Sequence, residues 1–169
     1  RAVRPTPLPV IPFTLAADLS GFYNPQLLLP PLLLAAAAAA PAPTAAAAAE
    51  QLGCELGAIA NSLIFSVNGE PLMVLTSGAH RVNTAFVADF LGVASLDRAD
   101  ADFVRTHTGQ AIGGVGPVGH PYPIGTLVDI DLMNYDVVWA AAGHPHTMFP
   151  TTFDDLVRMT EGTVTQVEP

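Results

Sequence analysis

Residues 61–78 read "NSLIFSVNGEPLMVLTSG". Two apolar runs flank Asn68-Gly69, a dipeptide suited to the positive φ angles of a two-residue hairpin turn. The stretch therefore predicts a strand over 61–67 and a returning strand over 70–78. Pro71 lacks an N–H donor, which puts it near a sheet edge or at the start of its strand. A hairpin at this point decides the fold class. The rest of the chain alternates helix and strand signals, so an antiparallel pair inside it means a mixed sheet and an α+β fold, not a doubly wound parallel one.

Working outward, Thr44 is suited to cap a helix through "AAAAAEQL" that ends at Gly53. A short helical turn follows around Glu55–Ala60. After the hairpin, "NTAFVADFLG" (83–92) predicts an amphipathic helix capped by Asn83 and closed by Gly92. A further helix is expected across Asp97–Thr108, with acids at its start. "PIGTLVDIDLM" (123–133) predicts a strand running into a turn or short helix. "DVVWAAAG" (136–143) is too short for a helix and predicts a buried strand. Residues 150–162 predict a terminal helix capped by Thr152.

The chain has 169 residues, half of them hydrophobic, enough for one domain with a real core. Its one cysteine, Cys54, excludes an internal disulfide and a CxxC metal site and is compatible with a cytoplasmic location. There are 15 acids, six arginines and no lysine, for a formal charge of −9. That balance argues against a broad basic face and against binding to duplex DNA. Residues 1–43 are rich in Ala, Leu and Pro. "LLLPPLLLAAAAAA" (27–40) could be a membrane span, an export leader, or a helix and connector of the domain. The proline pair interrupts a span, and a basic start is missing for a leader. The third reading is preferred: no membrane, residues 1–43 packing on the domain, and a functional domain over 44–169.

"AIGGVGPVGHP" (111–121) is the main candidate for chemistry. A phosphate loop needs a lysine, and there is none. "GVGPVG" (114–119) fits the letters of a dinucleotide fingerprint, but Pro117 and the following His-Pro-Tyr-Pro exclude the helix it requires. What remains is a rigid loop whose amides could hold a carbonyl or developing oxyanion, or a structural connection. His120, His144 and His146 sit in Pro-Gly turns. His-Pro-His is a weak metal pattern without a Cys or Glu cluster; turn histidines that hydrogen-bond locally are commoner, and a histidine facing a pocket is the other reading. Ser77, after a strand, stands where small-molecule sites occur, though outside any GxSxG elbow. Asn61 and Ser62 are polar residues opening an apolar strand, either at a site or bonded at a strand edge. Trp139 and Phe149 read as core.

Taken together and in order, these segments resemble the YbaK/ProX family of aminoacyl-tRNA editing domains. "TAAAAAEQLGCELGAIANSLIF" is similar to the family's helix and first core strand, and "PLMVLTSGAHRVNTAFVADFLG" to its next strand–helix unit. Gly113 and Pro117 match its G-x-x-x-P loop, and "VVWAAAGHPHTMFPTTFDDLVRMT" resembles its last strand, loop and helix. The resemblance covers residues 44–169. It implies a mixed sheet forming a partly barrel-like body with flanking helices. It also implies hydrolysis, without metal or cofactor, of the ester joining a wrong amino acid to tRNA. By that resemblance Gly113, Gly114 and Gly116 line the carbonyl-binding loop and Pro117 holds its shape. Asn61 and Ser62 position the aminoacyl end or the ribose, with Ser77 nearby. Gly143 and His144 close the other wall, and His144 could orient the water. The implied partners are the acceptor end of an aminoacyl-tRNA and an aminoacyl-tRNA synthetase, with the chain a monomer or homodimer. There is one departure. Many members have lysine at the start of the first core strand, where this chain has Asn61. Either Arg81 supplies the cation, or the chain has a different substrate or mechanism, or is a non-catalytic binding module.

Overall fold

The computed structural model describes residues 36–37, 44–145 and 147–169. Its centre is the predicted hairpin. Strand β2 (Ile59–Val67) pairs antiparallel with β3 (Glu70–Ser77), Asn61 opposite Thr76. Asn68 and Gly69 both take positive φ, 52° and 88°, as a two-residue turn between twisted strands requires. The first strand starts two residues earlier than the sequence predicts. Pro71 is the second residue of β3, and the next strand, β5 (Gly125–Asp129), pairs only from Leu72 onward. The missing donor therefore falls outside the part of β3 that is flanked on both sides, although β3 itself is central.

The other strands are β1 (Ala36–Ala37), β4 (Asp97–Arg98), β6 (Val138–Ala141), β7 (Thr147–Thr151) and β8 (Thr163–Thr165). The sheet runs β1-β7-β6-β2-β3-β5-β8, with β4 on the free flank of β2. Pairs β2/β6, β3/β5 and β5/β8 are parallel; β2/β3, β6/β7, β1/β7 and β2/β4 are antiparallel. The sheet is thus mixed, as the hairpin required.

Among the described residues four helices flank it: α1 (Ala45–Leu52), α2 (Thr84–Leu91), α3 (Ala101–Thr108) and α4 (Phe153–Thr160). Each begins on a side chain that accepts from a first-turn amide, from Thr44, Asn83, Asp100 and Thr152. The expected helix over Asp97–Thr108 is shorter than predicted. Asp100 is its cap, and Asp97–Arg98 instead pair with Ser66 and Phe65 of β2. The helix predicted to be terminal is followed by β8. Of the Ala/Leu run only Ala36–Ala37 is described, and it is strand where helix was expected.

Alternation along β3 shows how the layers are filled. Met73 and Leu75 join a core with Val104 of α3 and Leu156 of α4, while Leu72 and Val74 join a second with Val87 of α2. A third, smaller cluster sets Ala48 and Ala49 of α1 on Ile59 and Met148. Burial on both faces explains why β3 reads as a continuous apolar run. Each such side chain contributes roughly 1.5–3 kcal/mol.

Candidate functional site

The flank of β2 changes partner midway. Ile59 and Ala60 pair with Trp139 and Ala140 of β6, and Phe65 and Ser66 pair with β4. Between them, no strand among the described residues pairs with Asn61 to Ile64 on that side. The Gly78 amide donates to the Ile59 carbonyl from the β3 side. Alternation along the strand then turns the main-chain groups of Ser62 toward the open flank. The Ser62 Oγ is itself buried with no hydrogen-bond partner. Buried polar atoms are nearly always paired, so this one marks a place where a ligand group or water belongs.

The glycine loop closes over this opening. It leaves α3 at Gly109 (φ 71°), and Gly114 to Pro117 are buried while Gly113 (φ 86°) is exposed. Two glycines are needed for contact with the turn after β6. A Cβ on Gly114 would stand 2.5 Å from the His144 carbonyl carbon and Pro145 nitrogen. One on Gly116 would stand 2.9 Å from the Ala141 oxygen. No real side-chain carbon tolerates the first of these, so the two segments can touch only as glycine against backbone. The amides of Gly114 and Gly116 are already committed, to the Ala111 carbonyl (3.0 Å) and the Gln110 Oε1 (2.7 Å). The His120 Nε2 donates to the Gly116 carbonyl at 2.9 Å. Burial pushes the His120 imidazole below its ordinary 6.5, and that hydrogen bond opposes the shift in part.

A cavity of about 80 Å³ lies where these parts meet. Asn61 and Ala60 line it from β2, Gly113 from the loop, Ala141 and Pro145 from the end of β6 and its turn. Thr44, Ala45 and Ala48 of α1 and Thr147 and Met148 of β7 complete it. No ionisable side chain is among these residues. Among the described residues the site can therefore hydrogen-bond and exclude bulk, and none of them brings an acid or base.

Asn61 and Gly113, two of the residues singled out from sequence, share this cavity; Ser62 stands beside Asn61 on the open flank. Gly114 packs on His144 and Pro145, and Gly116 on Ala141 and Gly143, behind the lining; Pro117 is buried in the same loop and is not in the lining. His144 is exposed, its carbonyl accepting from Thr147, and its neighbour Pro145 lines the cavity. Ser77 is not brought to the cavity. It is fully buried, its hydroxyl donating to the Gly57 carbonyl at 2.9 Å and its amide to Asp129. Arg81 is exposed and outside the lining, its amide donating to Glu168, so it does not stand in for a cation beside Asn61. His146 lies outside the described residues. Among the described residues no three His, Cys, Asp or Glu side chains converge on a metal position, and no helix is long and apolar enough to cross a membrane. Sequence reading missed the α1 wall, Met148 and Gln110. The caps of α1 were legible, but nothing local signals which face of that helix meets a cavity.

Residues 39–159 match the family described as "Aminoacyl-tRNA editing domain". The chain is 31% identical over 97 residues to a proline–tRNA ligase of Citrifermentans bemidjiense, covering 56% of this chain and 17% of that one. It is 28% identical over 119 residues to the Geobacter sulfurreducens proline–tRNA ligase, covering 66% of this chain and 21% of the ligase. The chain thus spans about a fifth of the length of these curated relatives. Among solved structures it is similar to a candidate trans-editing enzyme for prolyl tRNA synthetase. There the TM-score is 0.74 with 36% identity, over 80% of this chain and 85% of the other. The hypothetical protein APE2540 gives a TM-score of 0.72 with 29% identity, over 79% and 89%.

Proposed function

The chain belongs to the aminoacyl-tRNA editing domain family, and we propose that it hydrolyses, in trans, the ester of a mischarged aminoacyl-tRNA. The observation that carries this reading is the cavity in which Asn61 and Gly113 meet at the open flank of β2. An aminoacyl group entering there would bring its carbonyl to the exposed Gly113 amide, whose N–H stabilises the developing oxyanion. The Asn61 carboxamide donates to the same carbonyl or to the ribose, and the unpartnered Ser62 hydroxyl takes a second polar group of the substrate. With no acid or base among the described lining residues, a water attacks the carbonyl carbon, the ester C–O bond breaks, and the departing ribose oxygen takes up the proton. A neighbouring ribose hydroxyl assists the water, and His144, next to the lining residue Pro145, could orient it. The reaction needs no metal in this scheme. A second site of this kind is useful because one binding pocket separates near-isosteric amino acids by only about 1–3 kcal/mol.

The direct test is deacylation across a panel of mischarged tRNAs. Release of the amino acid from at least one of them, reduced tenfold or more by N61A, is expected. A folded protein inactive on all of them would remove the enzyme reading.

One observation favours a second reading. No charged side chain is among the described lining residues, and by the resemblance Asn61 stands in place of a family lysine, so the domain could bind an aminoacyl or nucleotide end, or a prolyl-tRNA synthetase, without turnover. Binding of a non-hydrolysable aminoacyl-adenosine together with inactivity on every ester would select it, and a pulldown with the synthetase would test the partner form.

A further inference from the structure

We propose that Gln110 is a positioning residue for this site: its carboxamide braces the glycine loop from within by two hydrogen bonds, packs on the turn after β6, and so fixes the cavity wall that faces Asn61. The proposal rests on the editing reading above.

The bonds run outward from α3. The Thr108 hydroxyl donates to the Val104 carbonyl at 2.7 Å, inside the helix, and accepts from the Gln110 amide at 3.0 Å. The Gln110 side chain then reaches across the loop. Its Oε1 accepts from the Gly116 amide at 2.7 Å, and its Nε2 donates to the Val118 carbonyl at 3.4 Å. The orientation of the carboxamide is forced, since an amide N–H faces one end and a carbonyl the other. On its far side the same carboxamide packs on Gly143, where a Cβ would stand 3.7 Å from its carbon and nitrogen. Gly143 holds φ 89°.

One side chain therefore touches two backbone segments, the loop at Gly116 and Val118 and the turn at Gly143. In front of it, Gly113, Ala141 and Pro145 line the cavity. Gly116 is pressed on the Ala141 oxygen and the Gly143 nitrogen, and Gly114 on His144 and Pro145. None of these contacts is made by a side chain that could take up slack. A leucine at 110 would fill the volume but leave the buried Gly116 amide without an acceptor, and the loop would move to satisfy it. Because Gly116 and Gly113 are three residues apart on one tight loop, that movement displaces the amide offered to the substrate. Misplacement of about 1 Å at such a donor is enough to lose catalysis.

The test compares Q110L and Q110E with the wild-type chain. Glutamate keeps the acceptor for the Gly116 amide and loses the donor to Val118. Each variant is measured for single-turnover deacylation of whichever mischarged tRNA the wild type cleaves, for binding of a non-hydrolysable aminoacyl-adenosine, and for exchange of the Gly116 amide proton. Q110L is expected to lose at least about tenfold in turnover, the worth of one good hydrogen bond, with KM changed less than kcat and Gly116 exchange accelerated. Q110E is expected to recover to within a few-fold of wild type. Wild-type turnover in Q110L, or an equal loss in both variants, would overturn the role while leaving the editing reading intact. If the wild type binds the adenosine and cleaves nothing, the enzyme reading fails, and Q110L must then weaken that binding about tenfold for the wall-positioning role to stand. If the wild type neither binds nor cleaves, both fall.

Discussion

The Nδ1 of His80 lies 2.9 Å from Oδ2 of Asp129, and that carboxylate is completely buried. The same oxygen accepts from the Ser77 amide at 3.0 Å and the Thr76 hydroxyl at 3.3 Å, while Oδ1 caps the following turn through the Asp131 amide. Asp129 ties the ends of β3 and β5 together directly behind the strand position facing Asn61. Its replacement by alanine strands several buried donors, and D129A is expected to cost about 2–4 kcal/mol of stability. Urea unfolding measures this; a loss below ~1 kcal/mol would contradict the assigned role.

His120 gives the protein a pH dependence of definite sign. Its folded value is depressed by burial, while the unfolded imidazole titrates near 6.5. Between the two values the unfolded chain binds more protons, so stability rises with pH there. The contribution is complete above pH 6.5 and is lost as pH falls through the folded value. Unfolding at pH 7.5 and at pH 5.5 should show a larger decline in the wild type than in H120Q. Equal declines would remove His120 from the account.

The two adjacent loop glycines should respond differently to alanine. At Gly113 there is open space, and the only obstacle is φ 86°, so G113A is expected to cost roughly 1 kcal/mol. At Gly114 the new carbon meets His144 and Pro145 backbone at 2.5 Å, and overpacking of that kind costs about 1–3 kcal/mol or more. G114A should therefore be the less stable and should lose turnover through displacement of the whole wall. Thermal melts of the pair decide it, and the reverse order would mean that the loop and turn do not touch as described.

Ser62→Ala should separate stability from activity. The hydroxyl is buried without a partner, so deleting it is expected to leave stability unchanged or raise it by a few tenths of a kcal/mol up to about 1. Under the editing reading the same variant loses substrate contact and turns over more slowly. A destabilised S62A with normal turnover would show that the hydroxyl serves the fold alone.

Asn61→Lys puts a cation into a cavity whose described lining carries no charge. If the acceptor end of tRNA enters here, N61K should bind it more tightly at low salt, with the salt slope steeper by about one. An unchanged slope would place the phosphates elsewhere.

Much of the frame was legible because its signals are local. Thr44 and Gly53, Asn83 and Gly92, and Asn68-Gly69 each act on residues within a turn of themselves, and each does in the structure what its chemistry dictates. Asp97 misled for the same reason. It resembles a helix cap as well as Asp100 does, and only pairing with Ser66, 31 positions away, makes it strand. The three residues of β8 carry no periodicity, and their parallel partner β5 is over thirty residues distant. The site was harder still. Asn61 and Gly113 share a cavity through topology, not spacing. That Gly116 spends its amide on Gln110, and Ser77 its hydroxyl on Gly57, depends on the folded path between them.

The interrupted flank of β2 has a wider meaning. Over four residues no described strand completes the sheet, so a visiting molecule could pair with main chain there as well as with side chains. Recognition built on main chain survives exchange of the residue that decorates it. A chain with asparagine and a chain with lysine at position 61 could therefore keep one common docking frame and differ only in what each draws into it.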